Sequence, residues 1–366
     1  MNGKTDTPPL LPENALPGLG WNPWLEAHLG RREHAALTPA RVTGTRKNSF
    51  YVSDGENEWL ATVSGALNHR GRYPVAGDWV LTNGTVISEV LPRQNALSRG
   101  AAGARGRQKE LAMEKQVIAA NIDTVFIVCG LDRDFNLRRI ERYLTLVYNC
   151  GLKPAVVLTK ADLHGDPQRF EDEVNGVAFG AAVHLVSALS GKGLGSLEHY
   201  LSAGRTVCLI GSSGAGKSTL LNRLSGKQIQ ATGPVSAADG KGMHTTTTRD
   251  LIRMPQGGIL IDNPGLREIA FWQEDGGIES VFPEIEALAA GCRFSDCTHV
   301  HEPGCRVLQA LADQRIGRER LESYQKMKRE LTFLSQRQHK TADRLEKERW
   351  KKITTTIKSM KKRGEL

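Results

Sequence analysis

Residues 211–219 read GSSGAGKST and directly follow the apolar run RTVCLI at 205–210. This stretch decides the fold. It fits G-x-x-x-x-G-K-[ST], a pattern with a mechanism only where a strand runs through a tight loop into a helix. Gly211, Gly214 and Gly216 let the backbone turn its N–H groups inward around a polyphosphate, with Ser212, Ser213 and Ala215 between them. Lys217 reaches the β- and γ-phosphates, the Ser218 hydroxyl is placed for Mg²⁺, and Thr219 closes the motif in a following helix whose positive end faces the anion.

Working outward, DTVFIVCG, PAVVLTK, AVHLVSA, TTTTRDLIRM and GGILIDNPG are strand-like runs, with helical stretches such as 137–148 and 218–224 between several of them. Alternation of that kind predicts a mostly parallel sheet with helices on both faces. Such sheets carry their chemistry in loops at the carboxyl ends of the strands. Those loops read TKAD (159–162), SA (187–188), the phosphate cradle, KGMHTTTT (241–248) and DNPG (262–265), and together they resemble the five GTPase signatures. Asp162 can accept from both guanine N1–H and the 2-amino group, donors that adenine lacks, so the purine is read as guanine. Thr159 opens this turn, and Lys160 lies along base and ribose, with Ala161 between it and the carboxylate. Ser187 and Ala188 form the SA loop, where the Ala188 N–H donates to guanine O6. Asp262 supplies the Mg²⁺-side carboxylate, Gly265 an N–H for the γ-phosphate, and the threonine run a switch I hydroxyl, at Thr245 or Thr246. An ordinary GTPase presents the cradle first and the base motif late; here the base motif comes first, so the domain reads as circularly permuted.

The remaining composition places this unit in a larger protein. At 366 residues two or three domains are expected. Residues 1–39 read as a flexible leader with a short helix whose Trp21, Trp24 and Leu25 dock on a neighbour. Short alternating runs over 40–98 predict a small antiparallel barrel of the OB type, with Arg41, Arg46, Lys47, Phe50, Tyr51, Arg70 and Arg72 offered to RNA on one face. Residues 99–116 read as a linker or RNA-touching loop, 117–275 as the GTPase domain, 276–335 as a small helical metal domain and 336–366 as a basic tail. The formal charge is +9, and residues 337–366 alone hold eleven Lys/Arg against four Asp/Glu, which localises a polyanion contact. No apolar run approaches a membrane span and the N-terminus lacks a secretory layout, so a cytoplasmic protein without a membrane partner is expected.

Cys292-x₄-Cys297-x-His299-x₅-Cys305 brings three thiols and one imidazole within fourteen residues, enough for one closed, structural tetrahedral Zn²⁺ site. The spacing is not C-x₂-C. Unliganded thiols, or His301 in place of His299, stay open from the sequence alone.

These residues are similar to the circularly permuted GTPases that act in small-ribosomal-subunit maturation, the RsgA/YjeQ family. The resemblance runs over roughly 40–324 and rests on PVAGDWV, VLPRQNALSR, the permuted motif order, GMHTT, DNPGLRE and the cysteine cluster. It implies an N-terminal OB-fold, a central permuted P-loop GTPase domain and a C-terminal zinc domain. It further implies GTP/GDP as ligands, the 30S subunit and its 16S rRNA as partners, and hydrolysis stimulated by that subunit; the chain is expected to be a monomer. The competing expectation is a GTP-regulated rRNA-binding scaffold whose turnover is incidental. One departure is Thr159, where the family commonly has Asn, which predicts weaker guanine affinity. Another absence is informative: the water-positioning Gln of Ras-like enzymes is here Leu266, which leaves His244 in GMHTT as the nearest catalytic candidate, with packing of that loop as its alternative role.

Overall fold

The computed structural model describes residues 15–29, 37–69, 71, 73–100, 115–228, 250–262 and 277–332. After α1 (Pro23–Leu29), strands β1 (Thr38–Thr45), β2 (Phe50–Ser53) and β3 (Glu58–Val63) form an antiparallel meander. Helix α2 (Gly65–His69) then crosses to β4 (Trp79–Thr82), which pairs with both β5 (Val86–Val90) and β1, while β3 meets β5 in parallel. Five strands therefore close into an OB-like barrel. Strand alternation fills it: Ala40 and Val42 of β1, Val52, Ala61, Val80 and Ile87 make one buried cluster inside.

Barrel and motif conspire at one point that the sequence quotes twice. Asp78 of PVAGDWV accepts from Arg93 of VLPRQN through Nε and Nη2, both at 2.7 Å, and takes the Val75 N–H at 2.8 Å. Burial pushes the Asp78 carboxyl up, and the Arg93 guanidinium pulls against it. The fork ties the entry of β4 to the exit of β5.

The outer face of the barrel is covered rather than wet. Leu16, Leu19 and Leu25 bury themselves against Trp79, Leu81 and Leu91, so β4 is buried on both faces. Residues 15–20, read as part of a flexible leader, are therefore ordered by docking; the signal was missed because the contacts follow no helical period. Leu25 and Trp21 dock as expected, Trp21 edge-on to Trp79 at 4.8 Å. Trp24 does not dock; it is 36% exposed and stacks on His28. Two residues assigned to an RNA face are also corrected, since Phe50 lines the barrel interior and Arg41 is 1% exposed. The Arg41 guanidinium donates to the carbonyls of Leu19, Gly77 (3.3 Å) and Asn121 (3.1 Å). Burial pushes it down to about 10, against the pull of Asp123 and Asp78. Arg46 and Lys47 are exposed, with Arg46 stacked 4.9 Å over Tyr51; Arg70, Arg72, the first fourteen residues and the basic tail lie outside the described residues.

Strands β6 (Ala96–Gly100) and β7 (Lys115–Ala120) pair as a two-stranded antiparallel ribbon, so both ends of the stretch read as a linker lie in strands. Then come β8 (Thr124–Gly130), α3 (Leu137–Asn149), β9 (Pro154–Thr159), α4 (Gln168–Asn175), β10 (Ala182–Leu185), β11 (Thr206–Ile210) and α5 (Lys217–Ser225). The antiparallel pair β12 (Asp250–Arg253) and β13 (Ile259–Asp262) completes the sheet, ordered β10-β9-β8-β11-β13-β12. All but β12 run parallel. Both faces are buried: Val125, Ile127 and Cys129 of β8 join one apolar cluster with α3, and Phe126 and Val128 join another with α5. The barrel is not a separate bead. Gly44 of β1 pairs with Asp250 of β12, making eleven strands continuous from β10 to the barrel.

Behind the sheet, α6 (Gly277–Val281), α7 (Pro283–Ala289), α8 (Arg306–Ala312) and α9, helical over 318–332, pack toward α3. The fully buried Glu141 of α3 accepts from Arg138 (2.9 Å), from Arg320 of α9 (2.6 Å) and from Ser323. Arg320 also bonds Glu284 at 2.8 Å, so a buried carboxylate has several donors and costs far less than an unpaired one. Among the described residues no helix is long and apolar enough to cross a membrane.

Candidate functional site

The cradle sits where the reading of 211–219 put it, between the carboxyl end of β11 and α5. Two of its glycines are required. Gly211 has φ +148° and any Cβ there would meet the Val128 carbonyl at 2.3 Å; Gly216 has φ +91° and would drive a Cβ to 2.9 Å from Thr159 Oγ1. Lys217 donates to the carbonyls of Gly211 (2.8 Å) and Ser212 (2.6 Å), which holds its ammonium across the loop mouth. Ser218 and Thr219 follow in the first turn of α5, and Ser213 is exposed at the tip. Asp262 ends β13 opposite Leu209 of β11, 4% exposed, so its carboxylate lies one strand from the cradle.

The base turn meets the cradle directly. Thr159, 2% exposed, donates from Oγ1 to the Ala215 carbonyl at 2.6 Å. Its hydroxyl thus ties the base turn directly to the cradle. Lys160 adopts the left-handed conformation at φ +60° and donates from Nζ to the Gly214 carbonyl at 2.7 Å. Ala161 and Asp162 form a short 3₁₀ turn with Asp162 exposed, and the Ala161 N–H bonds the Val186 carbonyl at 3.2 Å. That bond brings in the SA loop. There Ser187 is buried and its hydroxyl accepts from the Ser190 N–H at 3.1 Å, while Ala188 is half-buried. Base turn, SA loop, cradle and Asp262 therefore converge on one edge of the sheet. His244, Thr245, Thr246, Gly265 and Leu266 lie outside the described residues.

Sequence reading missed a further loop on the same edge, 130–136 after β8. Asp132 accepts the Lys160 ammonium at 2.6 Å, and Asp134 accepts the Ser212 hydroxyl and Arg139 Nη2, the latter at 2.6 Å. Partial burial opposes ionisation of Asp132, yet the Lys160 ammonium holds its carboxyl below the usual carboxylate range. The signal was available: GLDRDFN follows a parallel strand at the end where such sheets keep their chemistry.

A second constellation lies in the C-terminal helices. The ligand atoms of Cys292, Cys297, His299 and Cys305 all fall within 4.8 Å of one another. Cys292 Sγ is 3.8 Å from Cys305 Sγ and 3.7 Å from His299 Nδ1, and His299 Nδ1 is 3.4 Å from Cys305 Sγ. A tetrahedron built on metal–sulfur bonds of about 2.3 Å has sulfur–sulfur edges of about 3.8 Å, so the four residues fit a metal ion. His299 is buried facing the thiols and His301 is exposed, so of the two histidines it is His299 that completes the set. Burial works against ionisation of Cys292, but the N–H groups of Arg306 and Val307 hold its thiol below the usual range; burial pushes Cys297 up to about 11. The loop is held from outside as well, by Glu302, which accepts from Thr298 N (2.8 Å) and Val300 N (2.9 Å), and by Gln325 of α9, which donates to the His299 carbonyl at 2.6 Å.

A parallel sheet with a phosphate cradle, a TKAD turn and an SA loop on one edge, entered by the chain at the base turn instead of the cradle, defines a circularly permuted P-loop GTPase. Comparison with known proteins narrows the class. The RsgA GTPase family model matches residues 90–272. The small ribosomal subunit biogenesis GTPase RsgA of Syntrophotalea carbinolica is 46% identical over 322 residues, 86% of this chain and 88% of that one. The protein of the same name from Methanosarcina acetivorans is 43% identical, covering 94% and 92%. Among solved structures, YjeQ from Thermotoga maritima aligns with TM-score 0.57 and 28% identity over 81% of this chain and 99% of that one. YloQ, described as a circularly permuted GTPase, aligns with TM-score 0.53 and 23% identity over 82% and 98%, a likeness of fold. The chain belongs to the RsgA GTPase family. It is accordingly a GTP hydrolase, releasing GDP and phosphate.

Proposed function

We propose that this chain hydrolyses GTP while docked on the small ribosomal subunit, as a step in that subunit's maturation, and that contact with the subunit accelerates turnover. The observation that carries the reading is the Lys160–Gly214 contact at 2.7 Å, which joins a guanine-selecting turn to a phosphate cradle 54 residues further along the chain. Relatives of 43% and 46% identity that carry the name small ribosomal subunit biogenesis GTPase support the partner.

In this reading Asp162 takes the two guanine donors, Lys160 lies along the base, and Thr159, Ala161 and Ser187 hold the turn so that the Ala188 N–H reaches O6. Residues 211–219 bind the phosphates. Ser218 and Asp262 are placed to hold Mg²⁺ together with Thr245 or Thr246, and the ion would supply charge neutralisation at the β- and γ-phosphates. Gly265 offers an N–H to the γ-phosphate, and His244 orients the attacking water. The cluster of Cys292, Cys297, His299 and Cys305 takes one structural Zn²⁺. The exposed Arg46 and Lys47 of the barrel and the basic tail meet 16S rRNA. A cytoplasmic monomer fits this role, with no membrane partner.

The deciding experiment is GTP turnover by the full chain with and without purified 30S subunits. Turnover is expected to rise at least about tenfold, the scale on which a partner that completes a catalytic loop acts. Flat turnover with tight subunit binding would make the protein a scaffold.

A further inference from the structure

Loop 130–136 belongs to none of the GTPase signatures, yet its two carboxylates each grip one of them. Asp132 Oδ2 accepts Lys160 Nζ at 2.6 Å, while the same ammonium donates to the Gly214 carbonyl at 2.7 Å. Asp134 Oδ1 accepts the Ser212 hydroxyl, and its Oδ2 accepts the Gly130 N–H at 3.1 Å. The loop braces itself as well: the Asp134 N–H donates to Asp132 Oδ1 at 3.1 Å, so the two carboxylates are spaced by a backbone turn.

We propose that this acidic loop is a positioning element of the nucleotide site, with Asp132 setting Lys160 in the purine-binding orientation and Asp134 setting Ser212 at the mouth of the cradle. The proposal rests on the guanine-nucleotide reading of that site. Two physical points support it. A lysine side chain has four rotatable bonds, and an ammonium with a single acceptor samples many rotamers. With two acceptors from different loops, Asp132 and Gly214, the Lys160 stem is fixed by the fold, so nucleotide binding does not have to order it. The second point is electrostatic. Two carboxylates beside a polyphosphate would repel it unless each were neutralised, and each is: Asp132 by Lys160, Asp134 by Arg139 Nη2 at 2.6 Å. Directional grip is kept and net charge is not added.

A double-mutant cycle on the full chain, read by mant-GDP fluorescence, tests the proposal. Asp132→Ala is expected to raise the mant-GDP Kd about tenfold, and Asp132→Asn, which keeps an acceptor, about threefold. In a Lys160→Ala background the further change Asp132→Ala is expected to shift Kd less than about twofold, because the carboxylate then has nothing to position. Ser212→Ala and Asp134→Ala should be non-additive in the same way. Asp132 is about one-third exposed, so the Asp132 variants should melt within about 2 °C of the native chain. Native-like affinity in Asp132→Ala, or effects of Asp132→Ala and Lys160→Ala that multiply in the double variant, would overturn the positioning role while leaving the nucleotide reading intact. A native chain that fails to bind mant-GDP at all would overturn both.

Discussion

Arg41 shows how a single side chain can be read correctly in local terms and wrongly in global ones. Period-2 alternation puts Ala40 and Val42 inside the barrel and Arg41 outside it, and that is where they are. The outside of β1, however, is roofed by residues 15–20 and by the turn at Asn121, contacts that join segments 22 and 80 residues apart and leave no mark on local pattern. Arg41→Met would take the donor from the carbonyls of Leu19 and Asn121 and leave that of Gly77 to Asn121 Nδ2 alone, and is expected to destabilise the chain by about 3 kcal/mol in urea unfolding. Arg41→Lys should recover little, because one ammonium cannot span a planar fork. Motif residues were more legible, since their spacing is fixed by the ligand they face. For the exposed Asp162, Asp162→Asn is expected to move preference from GTP to XTP by at least about tenfold: the two charge-assisted bonds to guanine are lost, while the Asn amide can accept from xanthine N1–H and donate to its O2. Equal GTP and XTP binding in native and variant would remove the assignment.

Among elements, the parallel strands were the plainest in sequence because they are buried on both faces and read as unbroken apolar runs, as VFIVCG of β8 does. The ribbon β6–β7 was only partly legible: its outer ends, 98–100 and 115–116, are polar and small, and only pairing makes them strands. The cysteine loop falls between these cases. Its ligand set was readable, but the choice of His299 over His301 depends on a left-handed φ of +60° at His299 that spacing does not reveal. Metal at this loop is expected to stabilise it by on the order of 10 kcal/mol, the scale for small structural zinc sites. Elemental analysis should find one zinc per chain, and Cys297→Ser should lower the melting temperature. Because Gln325 holds the His299 carbonyl, hydrogen exchange over 318–332 should quicken in that variant. Unchanged exchange would separate α9 from the metal.

At the scale of the molecule, the charge excess is concentrated where the sequence showed it, in residues 337–366. Binding to the small subunit is therefore expected to weaken steeply with salt, and deletion of 351–366 should flatten the slope of log K against log salt. A slope that stays the same would make the tail a bystander. The permuted order was legible because each signature keeps its place at a strand end however the chain is cut. What no signature disclosed is that the barrel and the GTPase sheet are stitched together at Gly44 and Asp250. That stitch has a consequence for solubility. A sheet of six strands has two raw edges that invite other chains to add on, and here one of them, β12, meets β1. The other, β10, is only four residues long, the shortness by which natural sheets discourage strand addition. Fragment 92–332, which keeps β6 beside β7 but lacks the barrel, should therefore associate into larger species on a sizing column, with the barrel acting in the whole chain as a guard against self-aggregation.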